Sequence, residues 1–243
     1  APDNSVESGN VKATPYSDFA QQSHVAAIGR LNYSYNDRYF LTSNFRADGS
    51  WQFSPEHKWG YFPSFSGGWK ISQEDFFKNV TGIDELKLRA GWGIVGNDRS
   101  RPYAWYGLVD TLQKYLIGGQ NQPAFIATTL ENKDLRWEKT SQVDIGLDLT
   151  LLHGRLTFTT DYYTKKTTDL LLEVTQPTST GFASALQNAG SIENKGFEFQ
   201  VSSKNFVREN FRWATDFNIS FNKGKVLDIV GTTLHTGEVN PAG

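Results

Sequence analysis

Three groups of residues in this 243-residue chain have types and spacings that chemistry could use. Gly91, Gly93 and Gly96 form G-x-G-x-x-G, the pattern whose bare backbone lets a dinucleotide pyrophosphate approach a helix N-terminus. That site needs a helix directly after the glycines. Here NDRSRPY follows, with Pro102 and no helical period, so the glycines read as small residues at the end of a strand. His24, His57, His153 and His235 offer imidazole ligands, but none has a second histidine two or four positions on, and no metal site is expected. Asp144, Asp148 and Glu198 offer carboxylates, and a glycosidase would need two at a fixed gap. They alternate regularly with apolar residues, which predicts a polar wall and not a catalytic pair. The chain has no Cys, which excludes thiolate nucleophiles, disulfides and sulfur-ligated zinc. No catalytic residue, metal or cofactor is expected.

The elements that carry these residues have a period of two. Leu86, Leu88, Ala90, Trp92 and Ile94 fall on one side of a strand, with Lys87, Arg89, Gly91 and Gly93 on the other. Residues 136–150 repeat the pattern, opposing Val143, Ile145, Leu147 and Leu149 to Gln142, Asp144, Gly146 and Asp148. Residues 195–203 oppose Phe197, Phe199 and Val201 to Glu198, Gln200 and Ser202, and residues 211–221 do the same with Phe217 and Ile219 against Asn218 and Ser220. Weaker segments at 24–34, 39–48, 61–71 and 156–166 bring the expected total to eight strands, with a short helical turn at Glu74 to Lys78. Tight connections at 35–38, 151–155 and 204–210 alternate with long ones at 49–60, 97–135 and 172–188. Short on one side and long on the other is the plan of an up-and-down meander whose two rims face different surroundings.

Composition narrows the setting. Lys plus Arg is 24 against 26 for Asp plus Glu, a balance with no nucleic-acid footprint. The aromatic share of 14% and the hydrophobic share of 38% argue against disorder. No apolar run approaches 18 residues, so no helical membrane span is present. Two all-β readings remain. In a soluble β-sandwich, such as a carbohydrate-binding module, the apolar face would be the core. In a transmembrane barrel it would meet lipid, the polar face would line the lumen, and aromatic residues would gather at the strand ends. Tyr33, Tyr35, Tyr39 and Trp69 collect at the short-turn rim, and Trp59, Tyr61, Phe62 and Trp137 at the long-loop rim.

Seven strings bear on that choice: RYFLTSNFRADGS at 38–50, WGYFPSFSGGW at 59–69, LKLRAGWGIVGN at 86–97, LRWEKTSQVDIGLD at 135–148, DYYTKKTTDLL at 161–171, GSIENKGFE at 190–198 and FNISFNKGKVL at 217–227. In this order and spacing they resemble the barrel region of the SusC/RagA-type TonB-linked outer-membrane proteins of Bacteroidetes, across about residues 24–231. The resemblance implies an all-β segment of a 22-stranded transmembrane barrel closed by an N-terminal plug. It also implies a SusD-type surface lipoprotein as lid, the TonB complex as energy source, and oligosaccharides or peptides as cargo. A TonB box and plug have no counterpart in these residues. Twenty-two strands of about ten residues need roughly 220 residues before any loop is counted, so the chain is expected to be a piece of a longer protein.

On this reading Lys87, Arg89, Gln142, Asp144, Asp148, Glu198 and Gln200 line the lumen. Leu88, Trp92, Ile145, Leu147, Phe199 and Ile219 face lipid. The long loops hold Trp51, Tyr103, Trp105 and Tyr106, whose ring faces could stack on a ligand at the extracellular rim. The expected organisation is a lead-in at 1–23, a barrel segment at 24–231 and an extracellular loop fragment at 232–243. The expected function is nutrient import by binding and passage, without covalent chemistry.

Overall fold

The computed structural model describes residues 23–100, 102–110 and 114–229. The expected terminal loop at 232–243, His235 and all of the lead-in except Ser23 lie outside them. In chain order the strands are β1 (His24–Tyr35), β2 (Tyr39–Ser50), β3 (Trp59–Lys70), β4 (Ile83–Asn97), β5 (Val109–Asp110), β6 (Lys114–Ile117) and β7 (Gln120–Pro123). They continue with β8 (Ile126–Ala127), β9 (Glu138–Leu151), β10 (Leu156–Thr168), β11 (Leu171–Thr175), β12 (Ser184–Asn188), β13 (Ser191–Arg208) and β14 (Phe211–Asp228). Eight of them form one sheet in the order β1-β2-β3-β4-β9-β10-β13-β14, every neighbour antiparallel. These are the eight expected strands, and their spatial order is their sequence order. The sheet is open, with β1 and β14 as its edges. Among the described residues the other sheets are two-stranded, so no second layer packs face to face with the meander, as a sandwich would require.

Tight turns set the register on one side. Asn36 and Asp37 adopt left-handed backbone, φ 51° and 52°, and Arg38 N–H bonds to Tyr35 C=O at 3.0 Å. Asn and Asp tolerate that region, so the sequence closes a tight three-residue connection between Tyr35 and Tyr39. The strands overrun their expected ends most at β13 and β14, which continue to Arg208 and from Phe211 to Asp228. Alternation fades at Lys223, Gly224 and Lys225, where both faces are polar or bare, while main-chain pairing to Lys195, Asn194 and Glu193 persists. The expected helical turn is a pair of 3-10 turns, Ile71–Gln73 and Asp75–Phe77, with Glu74 between them.

Glu74 ties the short-turn rim together. Its carboxylate accepts hydrogen bonds from Tyr39 Oη at 2.6 Å, Trp69 Nε1 at 2.9 Å and Arg38 Nη1 at 3.2 Å, joining the β1–β2 turn to the end of β3. The Tyr39 and Trp69 bonds hold the Glu74 carboxyl below the usual carboxylate range, with Arg38 adding to them. A depressed pKa in the folded state means the stabilisation is complete above the unfolded value of about 4.3 and is lost as pH falls through the folded value. Glu74→Gln should therefore lower the urea midpoint of the refolded protein at pH 7. Its deficit against the parent should shrink below about pH 4. A deficit that stays constant with pH would contradict a charge-assisted role.

The long-loop side has its own core. Phe53, Phe62, Leu135 and Trp137 are buried together, with Ile94, Ala104, Trp105, Leu171 and Leu186 packed against them. The Phe62 ring occupies the space that a Cβ at Gly60 or Gly96 would fill. This corrects the rim assignment of Phe62 and Trp137, each 6% exposed: they close the base of the loops, and only Trp59 and Tyr61 remain on the surface at 48% and 58%. The long connection at 172–188 folds as the β11–β12 hairpin. Asn188 Nδ2 clamps it by donating to the C=O groups of Arg136 and Asp169, both at 2.8 Å.

Candidate functional site

The register settles which side chains share a face. Lys87 lies opposite Asp148, Arg89 opposite Gly146, Gly91 opposite Asp144 and Gly93 opposite Gln142. Thr159 and Asp161 of β10 continue those rows to Gln200 and Glu198 of β13, and then to Asn218 and Ser220 of β14. All seven residues expected on the polar wall fall on this one face. The Arg89 guanidinium forks onto Asp148, with Nε to Oδ2 at 2.7 Å and Nη2 to Oδ1 at 3.1 Å, and also reaches Asp161 Oδ1 at 3.0 Å. To do so it crosses β9 above Gly146, where a Cβ would sit 2.7 Å from Nη2. The glycine is the gap through which one arginine links β4, β9 and β10. Gln142 Nε2 donates to both Asp144 oxygens at 2.9 and 3.0 Å. Lys87 lies over the Phe40 ring, 5.3 Å from its centroid. Hollows of about 370, 360 and 680 Å³ open on this face, the first floored by Gly68, Gly91 and Gly146, the second beside Glu198 and Gln200, the third beside Arg30, Asn44 and Arg46. Asp161 was missing from the sequence reading, although the alternation of β10 places it on the polar side.

The opposite face is mainly apolar along the middle of the strands. Leu88 lies against Leu147, Ile145 between Ala90 and Tyr162, and Phe199 between Thr160 and Ile219. Trp92 stacks on Phe65 with centroids 6.1 Å apart and donates Nε1 to Ser141 Oγ at 3.1 Å. Among the described residues no second layer covers these side chains: Ile145 is 50% exposed, and Leu88, Trp92 and Ile219 are 38–39% exposed. A soluble domain would bury such a continuous belt.

At the long-loop rim the four expected aromatic residues come together from two loops. Trp51 meets Tyr103 edge-on at 5.4 Å, Tyr103 meets Tyr106 at 6.4 Å, and Tyr106 lies 3.7 Å from Trp105. Trp105 leans on the buried core, while Tyr103 and Tyr106 are 46% and 45% exposed. The loops are cross-tied: Ser100 N and Oγ donate to Gln52 Oε1 at 3.0 and 2.9 Å, and Ser54 Oγ donates to Lys133 C=O at 2.8 Å. Trp51 Nε1 is buried without a partner among the described residues. The cluster thus presents the exposed rings of Tyr103 and Tyr106, a surface for stacking, while the Trp51 donor lies beneath it. Tyr115 and Phe125, also in the long loop, are exposed and stand apart from it.

The other sequence candidates do not converge. His24, His57 and His153 each lie beside a different carboxylate, Asp98, Asp134 and Asp84, at 3.5–3.9 Å. Among the described residues no three such groups gather as a metal site. Gly91 and Gly93 open onto the polar face, Gly96 lies under Phe62, and no helix follows them. No described helix is long and apolar enough to cross a membrane, which leaves crossing by strands open.

Residues 1–238 match the family model described as TonB dependent receptor-like, beta-barrel. The chain is similar to the TonB-dependent receptor P26 of Formosa agariphila, 43% identical over 228 residues that cover 94% of this chain and 23% of that protein. It is also similar to the TonB-dependent receptor SusC of Bacteroides thetaiotaomicron, 39% identical over 221 residues, covering 85% of this chain and 21% of that protein. A chain of the RagAB peptide importer in its open-open state superposes with a TM-score of 0.82 at 25% identity, covering 92% of this chain and 24% of that one. The chain therefore spans only 21–24% of the length of these relatives.

Proposed function

Since this chain belongs to the TonB-dependent receptor-like β-barrel family, we propose that it is part of the wall of an outer-membrane transporter that imports nutrients by binding and passage. One observation carries the reading. Along the middle of eight paired strands, polar side chains predominate on one face and apolar ones on the other, in a sheet that no second layer covers among the described residues. In a bilayer the apolar face needs no protein cover, and paired strands satisfy their backbone groups as the hydrocarbon requires.

On this reading Leu88, Trp92, Ile145, Leu147, Phe199 and Ile219 face lipid. Lys87, Arg89, Gln142, Asp144, Asp148, Glu198 and Gln200 hydrate the lumen. The long-loop rim is extracellular, as the longer loops of such barrels are. There Trp51, Tyr103, Trp105 and Tyr106 make first contact with an oligosaccharide or peptide. A SusD-type surface lipoprotein would lid the barrel, and the TonB complex would act through the part of the protein that this chain does not include.

Fractionation tests the reading: the full-length protein should sediment with outer membranes and need detergent for release. Recovery in the soluble periplasmic fraction would overturn it. Within the same protein, Tyr103→Ala with Tyr106→Ala should weaken cargo binding about tenfold, the size of about 1.4 kcal/mol of lost stacking. Unchanged cargo affinity would remove the rim aromatics from the path.

A further inference from the structure

The apolar face ends in a band of lysines at its long-loop end. The row Ile145, Tyr162, Phe197, Phe221 runs straight across β9, β10, β13 and β14. Two residues nearer the rim, the next row on the same face is Val143, Thr164, Lys195, Lys223, and the one beyond is Ser141, Lys166, Glu193, Lys225. Lys139 stands in the row after that, opposite Thr168. All five lysines are exposed. Glu193 pairs with Lys195 at 3.0 Å, and among the described residues Lys139, Lys166, Lys223 and Lys225 have no ion-pair partner. Lys195 and Lys223 lie directly opposite each other, and Glu193 beside Lys195 neutralises only one charge of the five. The corresponding rim of β1–β3 carries Val25, Ala27, Phe45, Ala47, Trp59 and Tyr61, with no cation. The positive charge is therefore local to one sector of the outer face.

We propose that Lys139, Lys166, Lys195, Lys223 and Lys225 form a docking surface for the phosphate groups of an anionic lipid in the outer leaflet. The proposal rests on the barrel reading above, which makes this face the lipid side and this rim the outer one. A phosphate dissolved in water would have no need of the apolar row directly beneath. A lipid engages both: its chains lie along Tyr162, Phe197 and Phe221, and the lysine stems extend over that apolar surface while the ammonium groups rise to the headgroup level. Four strands at about 4.8 Å spacing make the band about 14 Å wide, room for a headgroup with more than one phosphate. Basic side chains at a membrane surface attract anionic headgroups additively, so several modest contacts make a selective site.

The test uses the full-length protein purified from outer membranes in neutral detergent. Its probes are diphosphoryl lipid A, dephosphorylated lipid A and inorganic phosphate, with binding read by native mass spectrometry. Diphosphoryl lipid A should bind at least about tenfold more tightly than the dephosphorylated form. The triple variant Lys166→Gln, Lys223→Gln, Lys225→Gln should lose that advantage. The matching Lys→Arg triple should keep it, which separates loss of charge from misfolding. Lys165→Gln, on the same strand but the opposite face, should bind as the parent does. The proposal is overturned if the Gln triple binds diphosphoryl lipid A like the parent, if both lipids bind equally, or if inorganic phosphate alone displaces the lipid. A protein that fractionates with outer membranes yet gives any of those results defeats this inference only; a soluble protein defeats the barrel reading itself.

Discussion

Ile145→Arg in the full-length protein is expected to lose about 2–4 kcal/mol of folding stability in the bilayer, while Asp144→Arg, one residue away, loses far less. The two positions share a strand, a local environment and almost a backbone location, and differ in the face to which they project. Ile145 lies mid-strand in β9 between Ala90 and Tyr162 on the apolar face, half exposed within this chain. On the barrel reading a guanidinium there must be desolvated in hydrocarbon or pull water and headgroups inward. Asp144 lies opposite Gly91, whose missing side chain leaves room on the polar face, and an arginine there meets water. Urea unfolding in lipid, or the fraction that shows heat-dependent gel mobility, reads the difference. Equal losses at both positions would remove the assignment of the two faces.

Trp137→Ala should cost about 3–5 kcal/mol in the long-loop core, the range for emptying a buried indole. Trp137 packs against Phe53 at 5.5 Å and Phe62 at 5.3 Å, donates Nε1 to Lys58 C=O at 3.2 Å, and belongs to the core on which Trp105 and Leu186 pack, so three connections lose a common support. The loss should be local. The strand ladders below do not depend on this core, so limited proteolysis should speed up within 97–137 and the β11–β12 hairpin while the barrel keeps its heat-modifiable mobility. Phe125→Ala, at a ring 74% exposed, should change protection by no more than about 0.5 kcal/mol. If proteolysis of Trp137→Ala matched the parent, the loop core would be incidental. If it did not, the same variant should also weaken cargo capture, because Trp105 leans on that core and Tyr106 leans on Trp105.

Legibility followed the physics of each element. All eight long strands could be read from alternation because each has one mainly polar and one mainly apolar face, and Leu88 against Lys87 or Ile145 against Asp144 records that difference residue by residue. The signal fades where both faces are polar or bare, as at the ends of β13 and β14, and in the β11–β12 hairpin, whose five-residue strands are too short to show a period. Phe62 and Trp137 misled for a related reason: an aromatic at a strand end reads alike whether it faces a bilayer interface or closes a core. Only the meeting of two distant segments, one holding Phe53 and Phe62 and the other Leu135 and Trp137, distinguishes the two.

The glycine pattern that first suggested a nucleotide loop shows the division most plainly. Sequence alone determined the period of two, the face on which each side chain would lie, the short and long rims, and the absence of sulfur chemistry, because all of these are properties of neighbours along the chain. Tertiary structure alone decided what crosses from strand to strand. It set Arg89 over Gly146 to reach Asp161, Phe62 over Gly60 and Gly96, Trp51 against Tyr103, and five lysines in adjacent rows. Those contacts depend on register. A shift of one residue in a single strand would reverse every face in it, and register is fixed by turns and bulges acting across the whole sheet.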